Sequence, residues 1–224
     1  MAANTSSITT LLFDWDGTLV DSAQLGLAAY EKAFAELGLH FDHETYRSVY
    51  SPNWLSVYEG LGLPQDQWER ADELWTRHYD HKLAELVQNA AETIAELRAK
   101  AYRLGVVSSG NECRINREIE ARRLSGVFEV VVCHEQVENR KPHPEGLEAA
   151  MRELGCTPDE CGYVGDTPED IEMGKRAGTL TVGVLSEYPT SWKLKSHEPD
   201  IFVESLPEIT RHFQGRRVQT ANSF

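Results

Sequence analysis

Short, continuously apolar runs alternate with segments of helical periodicity along most of the chain. The apolar runs predict β-strands over residues 11–13, 104–107, 128–132, 163–164, 180–185 and 201–203. The periodic segments between the later runs predict helices over residues 112–123, 145–154, 168–177 and 207–212. Strands that are apolar throughout and alternate with helices are typical of right-handed βαβ units. The pattern therefore predicts an α/β fold, a parallel sheet with helices on both of its faces.

One connection in this pattern is far longer than the others. About 90 residues separate the first two predicted strands, whereas a crossover needs only about a dozen. This stretch contains helical patterns over 22–37, 43–50, 53–61 and 65–86, and three of the five tryptophans. Asp21 and Ser22 are typical helix caps at its start. We therefore predict a small all-helical cap domain over residues 21–90, inserted into an α/β core domain formed by residues 1–20 and 91–224.

The charge composition of the chain argues against some classes of binding partner. With 22 basic and 36 acidic side chains, the 224-residue chain carries a formal net charge of −14. Such a surface repels phosphate backbones and anionic lipids, so we expect neither nucleic acid nor a membrane as partner. The chain has no apolar run of about 18 residues, and its start lacks the basic and apolar blocks of a secretion signal. Its four cysteines form no CxxC pair, so we expect reduced thiols and a cytoplasmic location.

An acidic motif, DWDGTLVD, follows the first predicted strand and occupies residues 14–21. Side chains two positions apart on an extended chain point the same way, so Asp14 and Asp16 are expected to converge beyond the end of the strand. That edge of a sheet is where open α/β folds bind ligands. Two carboxylates directed at one point repel each other, so the site needs a cation or a shared proton.

Polar residues also follow the next three predicted strands. Ser108 and Ser109 stand between a strand and a helix, where hydroxyl and N–H groups bind an anion, although a simple helix cap explains them equally well. Lys141 lies in a KPHP segment whose two prolines stiffen the loop, and a lone surface lysine is the alternative interpretation. Asp166 and Asp170 add acidic groups after the fourth strand. Hard oxygen ligands of this kind suit Mg²⁺.

The order of these motifs resembles that of the haloacid dehalogenase-like phosphatase superfamily. DWDGTLVD, VVSSGN, KPHPE and GDTPED stand in the family's order and spacing, and the resemblance covers residues 8–20 and 91–205. It implies a Rossmann-like core. The insertion after the first motif resembles the helical cap of phosphoglycolate phosphatases and β-phosphoglucomutases. The resemblance therefore implies a Mg²⁺-dependent enzyme that hydrolyses the phosphate monoester of a small phosphorylated metabolite.

The resemblance also implies a role for each acidic motif residue. Asp14 matches the nucleophile that attacks phosphorus and becomes an aspartyl phosphate. Asp16 matches the acid/base that protonates the leaving alcohol and later activates water. Asp166 matches a ligand of Mg²⁺, joined by the carboxylate of Asp14 and the main-chain carbonyl of Asp16. Asp170 resembles a partner that orients the metal site or Lys141.

The remaining motif residues match groups that hold the phosphate. Ser108 and Lys141 match the hydroxyl and the ammonium that bind the phosphoryl oxygens, and Ser109 is the neighbouring phosphate-binding candidate. These roles agree with the chemistry of phosphoryl transfer, which depends mainly on positioning and on neutralising charge.

Departures from related patterns separate the chemistries of this superfamily. Asp16 disfavours the dehalogenating branch, which lacks an acid there, and the absence of lysine from residues 33–81 disfavours the phosphonate-cleaving branch. Sugar mutases carry a histidine where this chain has Gly26 and tend to carry an acid where it has Gly165. A sugar phosphomutase and a non-catalytic phosphate-binding protein are the alternatives. The second is disfavoured because Asp14 and Asp16 are both present.

Substrate specificity is expected to lie in the cap. Residues 50–54 are predicted to form a loop between two cap helices that faces the active site, with Arg47 nearby for an anionic group. The cap tryptophans, Trp54 among them, are expected mainly to pack its core. Neither the particular ester nor the oligomeric state follows from these residues.

Overall fold

The computed structural model describes residues 4–82 and 84–214. Its strands are β1 (Thr10–Phe13), β2 (Val20–Asp21), β3 (Glu85–Leu86), β4 (Arg103–Val107), β5 (Val130–Val132), β6 (Cys161–Gly165), β7 (Leu180–Val184) and β8 (Ile201–Val203). Its α-helices are α1 (Ala23–Glu36), α2 (His43–Val49), α3 (Trp54–Gly60), α4 (Trp68–His78), α5 (Ala90–Ala99), α6 (Glu112–Ala121), α7 (Glu145–Leu154), α8 (Pro168–Ala177) and α9 (Leu206–His212). Short 3₁₀ helices lie at Gln65–Gln67, His134–Gln136, Pro158–Glu160 and Ser191–His197.

Six of the strands form a parallel sheet in the order β5-β4-β1-β6-β7-β8. The central strand β1 pairs with β4 on one side and β6 on the other. Leu11 and Phe13 pack in one hydrophobic core and Leu12 in another, as expected for side chains on alternate sides of a strand. A strand that is buried on both faces carries apolar residues at successive positions, as Leu11 to Phe13 do. The predicted α/β fold is confirmed.

The helix predicted over residues 65–86 is wrong in its second half. α4 ends at His78, and Glu85 and Leu86 form β3, which pairs antiparallel with β2. The N–H of Val87 then donates to the carbonyl of Leu19 at 3.0 Å. The chain has to return to the sheet here, and pairing with β2 satisfies main-chain groups that would otherwise lose their partners.

Two further elements differ from the prediction. The strand predicted over residues 128–132 begins only at Val130, where its pairing with β4 starts. α5 was not predicted, although it buries Ala90, Ile94 and Leu97. These residues stand at the spacing of one helical face. α5 packs against α9.

Helices α1 to α4 pack around a separate apolar centre, which we call the aromatic cluster (Tyr30, Phe34, Phe41, Tyr46 and Tyr58). The rings of Tyr30 and Phe34 stack at a centroid distance of 5.5 Å, and those of Phe34 and Phe41 lie 4.8 Å apart. We propose that this cluster is the core of a cap domain over residues 21–90.

The remaining features concern thiols and membranes. Cys113, Cys133, Cys156 and Cys161 are free thiols. No helix within residues 4–82 and 84–214 is both long enough and apolar enough to cross a membrane.

Candidate active site

Three neighbouring strands bring the predicted motifs to one edge of the sheet. Asp14 follows β1, Ser108 follows β4, and Asp166 follows β6. Because β1 lies between β4 and β6 and all three run parallel, their carboxyl ends lie side by side. All three side chains are buried there. The expected meeting of the motifs at this edge is therefore present.

Lys141 is a buried residue of this site. Its Nζ donates to Asp14 Oδ1 at 2.6 Å and to Asp170 Oδ1 at 2.8 Å, and the residue is 7% exposed. Burial disfavours the charged amine, yet the two carboxylates raise the pKa of Lys141 above its ordinary value. Asp170 in turn accepts from the N–H and hydroxyl of Thr167 at 3.0 and 2.6 Å, and from the hydroxyl of Tyr163 at 3.0 Å. The structure excludes the alternative of a lone surface lysine.

Asp14, Asp166 and Asp170 form the acid cluster, in which one carboxylate oxygen of each lies within 4.8 Å of the others. Asp166 accepts hydrogen bonds from Thr18 at 2.9 Å and from Ser186 at 2.5 Å. Burial, opposed by Lys141 and reinforced by neighbouring carboxylates, raises the pKa of Asp14 to about 7. Burial and the carboxylates of Asp14 and Asp170 raise the pKa of Asp166. The donor set fits a hard divalent cation, which relieves this repulsion.

The carboxylate of Asp16 does not join the acid cluster. It accepts two hydrogen bonds from Arg114, at 3.0 and 2.5 Å, and one from the Ser22 hydroxyl at 2.7 Å. Burial opposes ionisation of Asp16, but the Arg114 guanidinium lowers its pKa below the usual value. β1 ends at Phe13, so the alternation expected of an extended strand no longer applies to Asp14 and Asp16. Ser22 occupies the N-cap position of α1 without capping it through its side chain.

Arg114 and Glu118 on α6 are site residues that the motif analysis missed. Arg114 Nη1 lies 3.3 Å from Glu118, whose other oxygen accepts from the indole N–H of Trp15 at 2.6 Å. The guanidinium carbon of Arg114 also lies 5.0 Å from the ring centroid of Tyr79 and 6.0 Å from that of Trp75. The signal available in the sequence was a glutamate on the apolar face of an amphipathic helix, four residues after an arginine.

We predict that Arg114 stabilises the folded protein strongly. Arg114→Gln is expected to lower the free energy of unfolding by about 3 kcal/mol, because it leaves the partly buried carboxylate of Asp16 and the buried carboxylate of Glu118 without their cation. Arg117→Gln, on the exposed face of the same helix, is the matched control and should change stability by less than about 0.5 kcal/mol. Urea denaturation measures both. Equal stability of the two variants would contradict the network.

A cavity of about 300 Å³ adjoins these residues. We call it the active-site cavity, because Asp14, Asp16 and Lys141 are among its lining residues. Residues 50–52 and Trp54 also line it, so the predicted loop does face the site. Arg47 is exposed and is not one of the described residues that line the cavity, so it does not supply the predicted anion-binding group.

The two serines after β4 also line the active-site cavity. Ser108 is buried, and its hydroxyl oxygen accepts from the N–H of Gly110 at 3.0 Å. The N-cap of α6 is Asn111, whose side-chain oxygen accepts from the N–H of Arg114 at 3.1 Å. Ser108 and Ser109 are therefore not helix caps, and their position leaves the phosphate-binding interpretation.

Asp14 is a buried aspartate after the central strand, and it is held by the buried Lys141. This pair is suited to phosphoryl transfer. The fold and the site together are those of an α/β phosphatase. The model of the haloacid dehalogenase-like hydrolase family matches residues 11–184, which is most of the chain. The chain belongs to this family. The predicted membership is thereby confirmed, and the protein is a phosphatase of the family.

Known relatives agree with this assignment. Pyrophosphatase PpaX of Oceanobacillus iheyensis is 31% identical over 209 residues, which cover 91% of this chain and 95% of that protein. PpaX of Listeria monocytogenes is 32% identical over 209 residues, with coverage of 92% and 96%.

Solved structures share the fold. A protein from Haemophilus somnus described as a predicted phosphoglycolate phosphatase has a TM-score of 0.84 at 20% identity, covering 94% of this chain and 100% of that chain. CbbY from Rhodobacter sphaeroides, in complex with phosphate, has a TM-score of 0.77 at 23% identity, covering 90% and 96%. Both structural matches cover nearly the whole of each chain. They therefore include the helical segment inserted between β1 and β4 (residues 21–90), which we call the helical insert.

Proposed function

We propose that this protein hydrolyses the phosphate monoester of a small phosphorylated metabolite, with Mg²⁺ and through an aspartyl phosphate on Asp14. The observation that carries the proposal is the Asp14 carboxylate, held at 2.6 Å by Lys141 in a cavity of about 300 Å³. Free thiols and the acidic surface favour the cytoplasm as the place of action.

The proposed reaction has two steps. In the first, an Asp14 oxygen bonds to phosphorus, the bond from phosphorus to the ester oxygen breaks, and Asp16 gives its proton to the departing alcohol. In the second, water attacks the aspartyl phosphate, Asp16 takes its proton, and inorganic phosphate leaves with Asp14 regenerated. Arg114 keeps Asp16 ionised in this structure, which suits the second step. For the first step Asp16 has to be protonated and to turn towards the ester oxygen.

Positive charge is needed for an anionic nucleophile to approach an anionic ester. Lys141 supplies one charge beside Asp14, and Ser108 and Ser109 offer hydroxyl groups on the same cavity wall. The carboxylates of Asp14 and Asp166, with the carbonyl of Asp16, would hold Mg²⁺. When bound, the ion neutralises phosphoryl oxygens and completes the charge balance of the acid cluster.

The alternatives are disfavoured by two glycines and by the intact aspartates. A Cβ atom at Gly165 would collide with the Cβ of Asp170, so the acidic residue found there in sugar mutases does not fit. Gly26 lines the active-site cavity without a side chain that could assist a second transfer. A non-catalytic protein would not need Asp14 and Asp16 in place.

We predict that activity depends on a divalent ion. Excess EDTA should abolish release of inorganic phosphate from 4-nitrophenyl phosphate, because the carboxylates of the acid cluster then lack their cation. Mg²⁺ should restore the rate better than Ca²⁺, which prefers more ligands and a looser geometry. Asp166→Asn should weaken Mg²⁺ binding, measured by calorimetry, while Asp159→Asn on the surface should not. Full activity in excess EDTA would contradict the proposed metal site.

A further inference from the structure

Aromatic side chains form much of the wall of the active-site cavity. Most of them come from the helical insert, and Tyr188 comes from the segment after β7. The ones that carry the inference are Tyr30, Tyr46, Tyr50, Trp54, Trp75 and Tyr188. Ligand cavities combine such apolar rings with a few polar groups that fix orientation. Tyr188 adjoins the acidic residues, since its hydroxyl lies 3.0 Å from that of Ser22, which donates to Asp16. Because the rings and the phosphate-binding candidates line the same cavity, an ester held there by its phosphate places its alcohol part against the rings.

Five of these rings, all except Trp54, contact one another in a continuous chain. The centroid of Tyr50 lies 5.2 Å from that of Tyr188 and 5.3 Å from that of Tyr46. Tyr30 lies 6.0 Å from Tyr46 and 5.8 Å from Trp75. These distances fall in the range of favourable aromatic pairs. The wall is therefore preorganised, and a planar group that enters it meets rings already in place.

The cations that line the cavity are already paired. Lys141 lies between Asp14 and Asp170 and serves the transferred phosphoryl group. Arg114 is paired with Asp16, at 2.5 Å, and with Glu118. Neither is left to neutralise a second anionic group on the substrate.

The remaining charged groups do not change this balance. Burial lowers the pKa of His134, which favours the neutral ring. Asp72 lines the cavity and adds an acidic group, held by Tyr58 at 2.6 Å. Arg140 stacks on the ring of Trp54, with its guanidinium carbon 3.7 Å from the centroid, and its Nη1 is buried without a hydrogen-bond partner among the described residues. It lines a smaller neighbouring cavity and is not one of the described residues that line the active-site cavity.

From the ring wall and this charge balance we propose that the enzyme acts on phosphate esters of uncharged, aromatic alcohols. A second phosphate or a carboxylate in the alcohol part would be buried without a free cation among the described residues that line this cavity, which is costly. An aromatic ring instead loses contact with water and packs against the wall, which stabilises the complex. The inference rests on the proposed phosphatase function and narrows its substrate class. It disfavours pyrophosphate and phosphoglycolate, which are the substrates in the names of PpaX and of the Haemophilus somnus protein.

The test is a substrate series with the wild-type enzyme and Mg²⁺. Benzyl phosphate and ethyl phosphate both release a simple alkyl alcohol and differ mainly in the ring. Phosphoglycolate and pyrophosphate add a carboxylate and a second phosphate. We expect kcat/KM for benzyl phosphate to exceed that for each of the other three by about tenfold to hundredfold, the effect of burying one phenyl ring. Phosphoglycolate or pyrophosphate turned over as fast as benzyl phosphate would overturn the inference.

Two variants test whether the preference for benzyl phosphate depends on the aromatic rings of the cavity wall. Tyr50→Leu and Trp75→Leu should each lower the ratio of kcat/KM for benzyl over ethyl phosphate about fivefold to tenfold, since each removes a ring from the wall. Trp192→Leu, a tryptophan that is 69% exposed, is the matched control and should leave the ratio unchanged. A ratio that survives in both wall variants contradicts the proposal. If 4-nitrophenyl phosphate and all four compounds release no phosphate, the proposed function fails and the inference fails with it, whereas activity without the preference refutes the inference alone.

Discussion

Asp14→Asn is expected to reduce phosphatase activity by roughly 10⁴-fold, because the amide cannot attack phosphorus. The variant should stay folded. Its side chain has nearly the shape of aspartate and keeps an oxygen that accepts from Lys141, which lies 2.6 Å from Asp14 Oδ1 in the native protein. Steady-state release of inorganic phosphate measures the loss, and acid quenching followed by mass spectrometry detects the phosphorylated protein. Wild-type enzyme should show the added phosphoryl group on the peptide that contains Asp14, and the variant should not.

The matched control is Asp21→Asn, at the exposed end of the same motif. It makes the same chemical change away from the acid cluster and should retain activity within about twofold. Turnover by Asp14→Asn within tenfold of the native rate, together with a folded circular dichroism spectrum, would end the covalent mechanism. Equal losses in Asp14→Asn and Asp21→Asn would show that the loss does not come from the nucleophile.

Asp16→Asn is expected to give a loss that depends on the leaving group. Alkyl phosphates release an alkoxide that needs a proton, so their hydrolysis should slow by about 10²-fold to 10⁴-fold. Esters of phenols with low pKa need little help and should react with Asp14 nearly as before. Breakdown of the aspartyl phosphate should still be slow, because Asp16 also activates water. Rapid mixing with 4-nitrophenyl phosphate should therefore show an initial burst of phenolate before a slow steady state.

The Asp16→Asn experiment needs a control, because Asp16 is also the ion-pair partner of Arg114. Asp16→Asn also breaks the ion pair with Arg114, in which one N···O distance is 2.5 Å. Ser22→Ala keeps the Asp16 carboxylate and its ion pair with Arg114, and removes a hydroxyl that donates to Asp16 at 2.7 Å and lies 3.0 Å from the Tyr188 hydroxyl. It should lower alkyl and aryl rates by the same small factor. A loss in Asp16→Asn that is equal for alkyl and aryl esters, with no burst, would mean that Asp16 orients the site without transferring the proton.

Much of the α/β fold could be predicted from local patterns in the sequence. Leu11, Leu12 and Phe13 form an uninterrupted apolar run because β1 is buried on both faces. The ends of such strands lie at one edge of a parallel sheet, which is why acidic and hydroxyl residues far apart in the chain could be predicted to meet there. Lys141 was harder to assign, since nothing local distinguishes a buried lysine from an exposed one. Its two carboxylate partners, Asp14 and Asp170, decide that it is buried.

The errors arose where local pattern and tertiary packing disagree. Residues 79–86 continue the helical pattern of α4, yet Glu85 and Leu86 pair with β2 because the chain has to rejoin the sheet. Trp54 was expected to pack the cap core, and it does pack against the aromatic cluster, but it also lines the active-site cavity. A large aromatic side chain packs a core or lines a cavity with equal ease, and its neighbours determine which.

The α/β class and the edge of the sheet where the motifs meet could be predicted from the sequence, because strand burial and strand ends are encoded in short runs of residues. The family followed from the resemblance of the four motifs. Only the folded structure shows that Asp16 pairs with Arg114, 98 positions away, and lies outside the acid cluster. Only the folded structure places the ring of Tyr50 against that of Tyr188 in the wall of the active-site cavity. The physical reason is the same for both contacts. Each depends on how α6 or the helical insert packs against the sheet edge, and no local pattern records that packing.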